Sequence, residues 1–275
     1  MATVAESGFA RPHASDNLSG TARAHSIDRW IFVGMAVWFI LIALAGFVPD
    51  SMMKAAMVKA GVRAPFPAIL HVHAMLMGSF LLLLLAQTTL MATGRREYHM
   101  RLGVAAFVVA PALVAVGLIL APTMYYETWN ALQSAPPAAR EKLQGLVSLK
   151  ENILLAQLRI GFLFPLFLII GLRARGKNDG LHKRMMILAP AVALPAAIDR
   201  ITWLPTTFPT SFVASDLYVL LAVAPMFAWD VIRNRRIHEA YWIWIAVYLP
   251  FSVLVNSLWG TAGWHATARQ IMGVG

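Results

Sequence analysis

Cysteine is absent from the 275 residues, which excludes disulfides, thiolate metal ligands and thiol catalysis. Any metal or haem would have to use His, Met, carboxylate or Tyr donors. Charge is also scarce. Only 13% of residues are Asp, Glu, Lys or Arg, against about 25% in an ordinary water-soluble domain. Acids are the scarcer sign, 13 against 23 bases, for a formal net charge of +10. Several chemical signatures are missing as well: there is no phosphate loop, no Gly-x-Ser-x-Gly, no His-Glu-x-x-His and no dense histidine box. The last apolar run contains no lysine, which removes a rhodopsin-like retinal Schiff base there.

What fills the chain instead is apolar residue, 59% of the total. It is arranged in runs long enough to cross a hydrocarbon layer of about 30 Å. Seven runs are read, over roughly 30–48, 68–93, 102–124, 153–172, 185–204, 212–232 and 241–259. The fold class is therefore all-α, a polytopic bundle of about seven transmembrane helices, and the lipid bilayer is its first partner. Trp and Tyr cluster near several run ends, as an aromatic belt requires. The basic residues sit in short loops between runs, which sets nucleic acid aside as a partner. Fourteen Lys and Arg fall on the side of the N-terminus and seven on the other, so the positive-inside rule gives N-in and C-out.

Residues 1–28 are polar and small and lack the apolar stretch of a secretory signal; they are expected to form a mobile cytoplasmic tail. The transmembrane domain occupies 29–260 and a C-terminal tail 261–275. Pro49-Asp50 is expected to end the first helix. The mixed-charge segment from Arg140 to Glu151 reads as an amphipathic helix lying along the surface. A shift of 83 residues places Gly78 on Gly161, His99 on His182 and Arg101 on Arg184, the pattern of a parallel repeat of a helical hairpin.

Ionisable residues inside apolar helices are costly and need a partner or a purpose. On the topology above, His71, His73, Gln157, Arg159, Asp199, Arg200, Asp216 and Asn256 fall at one depth, in the half of the membrane facing outward. They outline a polar pocket, with Arg159 and Asp199 as a natural ion pair. His71 and His73 are metal-ligand candidates, although residues two apart on a regular helix point about 200° apart. His99 and His182 each open a helix at the opposite side. They are read either as basic anchors for lipid phosphates or as a pair of cofactor-binding or quinone-contacting ligands, with Gln87 lining the same side.

The stretch His73-Ala-Met-Leu-Met-Gly, the Gly94-Arg95 pair, His99-Met-Arg-Leu-Gly and His182-Lys-Arg-Met resemble a pattern in uncharacterised bacterial multi-pass inner-membrane proteins. Over residues 67 to 200 the chain is more distantly similar to transmembrane cytochromes b. That resemblance implies a bacterial inner-membrane location, haem b or a transition metal as cofactor, His99 with His182 as one ligand pair, and electron transfer, including with quinone. The second pair that two haems require is lacking, because the positions equivalent to His71 and His73 are Leu154 and Ala156. Two other functions fit the same residues: a non-catalytic subunit, assembly factor or sensor in a larger membrane complex, and a small transporter or enzyme for a lipid-soluble substrate.

Overall fold

The computed structural model describes residues 16–18 and 25–275. Among them there are ten α-helices and no strand: α1 (Ser26–Lys59), α2 (Ala68–Ala92), α3 (Arg96–Leu102), α4 (Ala106–Gln133), α5 (Pro137–Ala174), α6 (Asp179–Ala191), α7 (Pro195–Ile198), α8 (Val213–Asn234), α9 (Glu239–Leu258) and α10 (Ala262–Ile271). A short 3-10 turn joins α3 to α4, and α7 continues the direction of α6. The result is seven helical segments long and apolar enough to cross a membrane. Their outward surfaces carry exposed Leu, Ile, Val, Phe and Trp, such as Leu41, Leu82, Phe107, Ile169 and Leu249, which is tolerable only against lipid.

An odd number of spans puts the start of α1 and the end of α9 on opposite faces of the bundle. The N-terminal face gathers the loops around residues 93–95, 175–178 and 235–238; the C-terminal face gathers those around 60–67, 134–136, 199–212 and α10. The span made by α6 and α7 is the most buried and lies at the centre, against α1, α5, α8 and α9. Two glycines permit the tightest approaches. A Cβ on Gly46 would sit 2.1 Å from the Ala197 carbonyl oxygen, so α1 can lie on the backbone of α7 only there. A Cβ on Gly171 would meet Met185 Cβ at 2.9 Å, which fixes α5 against α6.

Apolar packing forms two clusters. The larger fills the bundle from the N-terminal face to the level of α7, with Phe39, Leu163, Phe167, Met185, Leu188 and Met226 fully buried. The smaller lies at the C-terminal face, where Tyr125, Val147, Leu154, Phe212, Trp259 and Trp264 meet.

Three boundaries differ from the sequence reading. Pro49 does not end α1, which runs on to Lys59, because a proline removes one helical hydrogen bond and neighbouring helices in a bundle absorb the loss. The segment from Arg140 to Glu151 does not lie along the surface as its own helix. It is the first part of α5, whose 38 residues rise about 57 Å, well beyond the hydrocarbon layer. Residues 262–271 form a docked helix instead of a tail. Of the polar leader, residues 16–18 are packed on the N-terminal face and the helix starts at Ser26; the expectation of a mobile tail otherwise falls on 1–15 and 19–24, outside the described residues.

Candidate functional site

At the N-terminal face, α3 and α6 each present a histidine near their first turn. His99 Nδ1 lies 3.2 Å from the Gln87 carbonyl oxygen, and His182 Nδ1 lies 2.8 Å from the Gly171 carbonyl oxygen. A carbonyl only accepts, so each Nδ1 carries the proton. In the neutral ring each Nε2 then keeps its lone pair. The rings are close enough to interact electrostatically, with Arg175 in range of both and Arg96 near His99. The amide nitrogen and oxygen of Gln87 are buried, and neither finds a hydrogen-bond partner among the described residues. Its Nε2 is 3.4 Å from where a Cβ on Gly103 would stand, so the glycine leaves space beside the amide.

The same face holds a dense charged lock. Arg184 is fully buried and spends its donors on two carboxylates and a carbonyl. Nε and Nη2 donate to Asp230 at 2.5 and 2.9 Å, Nη1 and Nη2 to Asp16 at 2.9 and 3.0 Å, and Nη1 to the Gly180 carbonyl at 3.0 Å. Lys183 Nζ pairs with Asp16 at 2.7 Å and also reaches the Leu18 carbonyl. Burial would raise the Asp16 carboxyl, but Arg184 and Lys183 outweigh it and hold it well below the usual carboxylate range. His238 caps α9 by accepting from the Ala240 amide at 3.1 Å; burial, with Arg184 beside it, pulls its imidazole down to about 4. A second pair anchors α1 to α8, where Arg233 grips the buried Asp28 through Nε and Nη2 and Trp229 adds a donor at 2.8 Å.

Near the C-terminal face, Arg159 and Asp216 are joined at 2.7 Å, both buried. Asp216 also accepts from Tyr248 at 2.8 Å, from Ser252, and from Asn256 Nδ2 at 3.0 Å. The Arg159 guanidinium stands over the rings of Phe212 and Tyr248, at 4.9 and 5.4 Å. Its Nε and Nη2, and Asn256 Oδ1, find no hydrogen-bond partner among the described residues. The sequence reading paired Arg159 with Asp199; the structure gives Arg159 to Asp216 instead, because α8 and α9 bring their polar residues against α5. Asp199 accepts from Ser215. Arg200 turns to Asp50 on α1 at 3.2 Å, and Gln157 is half-buried a half-turn before Arg159.

His71 and His73 do not converge. The helix is regular through both, so they occupy opposite sides of α2. His71 is exposed, edge-on to Phe66, whereas His73 is half-buried towards Gly117, its Nδ1 without a partner among the described residues. Among the described residues no three His, Asp or Glu gather as a metal cluster.

Four acids that organise the structure escaped sequence reading: Asp16, Asp28, Glu151 and Asp230. Glu151 is fully buried and holds α10, through His265 Nδ1 at 2.6 Å and Arg269 Nε at 2.8 Å. The available signal was rarity, since a chain with 13 acids that buries one in or beside a bundle must pair it. Compared with known proteins, the chain matches no family model, no curated protein and no solved structure, so it is described by its own geometry as a multi-pass membrane helix bundle.

Proposed function

We propose that this chain is a redox protein of the bacterial inner membrane that holds haem through His99 and His182 at its N-terminal face. The observation that carries the reading is the shared engagement of the two rings. Each gives its Nδ1 proton to a backbone carbonyl of the preceding helix, which sets the tautomer and aims Nε2 as a donor. Ligating histidines are characteristically held this way, because the second hydrogen bond orients the ring and raises its basicity. Arg96 and Arg175, within electrostatic range of His99, would favour a group that carries carboxylates, as haem does. Haem bound there supplies one-electron chemistry. The side-chain amide of Gln87, the residue whose backbone carbonyl engages His99, has no partner among the described residues and offers both a donor and an acceptor, the two functions a quinone headgroup uses, which favours quinone as the exchange partner.

The test is to purify the chain in mild detergent, with haem supplied during expression, and to compare oxidised and dithionite-reduced spectra. A reduced-minus-oxidised haem b difference that disappears in His99→Ala and His182→Ala, but survives in His71→Ala, is the expected result. A folded, colourless protein that also fails to take up added haem would sink the proposal.

A further inference from the structure

The leader residues Asp16, Asn17 and Leu18 do more than lie on the bundle. Four donors from α6 and α8 converge on the Asp16 carboxylate: Arg184 Nη1 at 2.9 Å, Arg184 Nη2 at 3.0 Å, Lys183 Nζ at 2.7 Å and Asn234 Nδ2 at 3.4 Å. Asn17 fastens the segment by donating its amide to Asn234 Oδ1 and its side chain to the Arg233 carbonyl, both at 2.9 Å. Leu18 is fully buried in the main apolar cluster. Asp16 keeps 22% of its side-chain surface exposed and Lys183 keeps 19%, so the charged end of this arrangement opens to solvent while Arg184 beneath it is sealed.

Charge makes the consequence definite. With Asp16 in place, two cations face two carboxylates. Without it, Asp230 is the one carboxylate among the described residues that pairs with this cluster, and one positive charge of Arg184 and Lys183 is left over in a mostly buried setting, which is strongly unfavourable. The donor set, a guanidinium edge, an ammonium and a carboxamide, is the set that grips a tetrahedral oxyanion. We propose that this end of the bundle is an anion receptor filled in cis by Asp16, and that a phosphate monoester or diester competes with it and releases the leader. The two anions exclude each other because they use the same four donors. By linkage, whatever fills the receptor from outside weakens the hold on residues 16–18 by the same factor. The source of the phosphate is either a free phosphate or the headgroup of an anionic lipid lying beside this face.

Asp16→Ala tests the receptor. In detergent with chloride as the only anion, its melting temperature is expected to fall below wild type. Millimolar inorganic phosphate is expected to restore most of that loss, whereas potassium chloride at matched ionic strength restores none. In nanodiscs without added phosphate, recovery with phosphatidylglycerol but not with phosphatidylcholine assigns the headgroup as the source; recovery only on adding phosphate assigns the free anion. A variant that melts like wild type, or phosphate that shifts both proteins equally, overturns the proposal. Should the alanine variant not fold, wild type gives the answer: amide exchange at Asn17 and Leu18 must accelerate as phosphate rises, and unchanged exchange overturns it.

Discussion

Two buried arginines, Arg184 and Arg159, stand near opposite faces of the bundle and make opposite use of their donors. Arg184 is saturated, with Asp230, Asp16 and the Gly180 carbonyl taking every direction it offers. Arg159 uses Nη1 alone; the remaining edge has aromatic rings above it and no acceptor among the described residues. Equal burial therefore conceals unequal jobs. A saturated guanidinium is a rivet, whose removal strands the acids around it. An unsaturated one keeps hydrogen-bonding capacity that only water or a ligand can meet.

The largest effect should come from Arg184→Met. It strands the fully buried Asp230, and chemical unfolding in detergent should show a loss of about 3–5 kcal/mol. Arg159→Met should cost less, roughly 2–3 kcal/mol, because Asp216 retains Tyr248, Ser252 and Asn256 as donors. Losses of the same size, or the reverse order, would break the contrast between the two arginines.

Acidification sharpens it at the N-terminal face, where His238 sits beside Arg184. His238 is held near 4 in the folded protein instead of 6.5, so the unfolded chain binds the extra proton between these values and stability falls as pH drops through that window. In His238→Gln the profile should tilt towards greater stability at acid pH. The tilt should reach about 2 kcal/mol at most, reduced by residual solvent screening, as measured by unfolding between pH 4 and 7. The smallest effect belongs to Arg101→Ala. Its pair with Glu97 is short, at 2.5 Å, but both side chains are more than 70% exposed, and the melting temperature should not move measurably.

Hydropathy made the seven spans legible, because each must satisfy the same length and polarity rule on its own. Helix ends were less legible. Pro49 and the charged start of α5 are stop signals in water but not in a bundle that shields the freed carbonyl and extends past the bilayer. Depth along the membrane was also readable, and it grouped Arg159, Asp199 and Asp216. Partnership was not, since it depends on which helices are neighbours, and a list of depths contains no lateral coordinate. Asp28, Glu151 and Asp230 sit near span ends, where a charge reads as an ordinary interfacial group. Nothing in the composition of the leader distinguishes Asp16 from the polar residues around it.

The attachment of α10 carries a consequence for how the molecule is made. A chain synthesised from its N-terminus delivers Glu151 to the membrane 114 residues before His265 and 118 before Arg269. For that interval the carboxylate and the apolar residues around Tyr125 and Val147 have no lid. The face bearing α10 thus closes only after the seven spans have been made, and until then Glu151 depends on water for its partners.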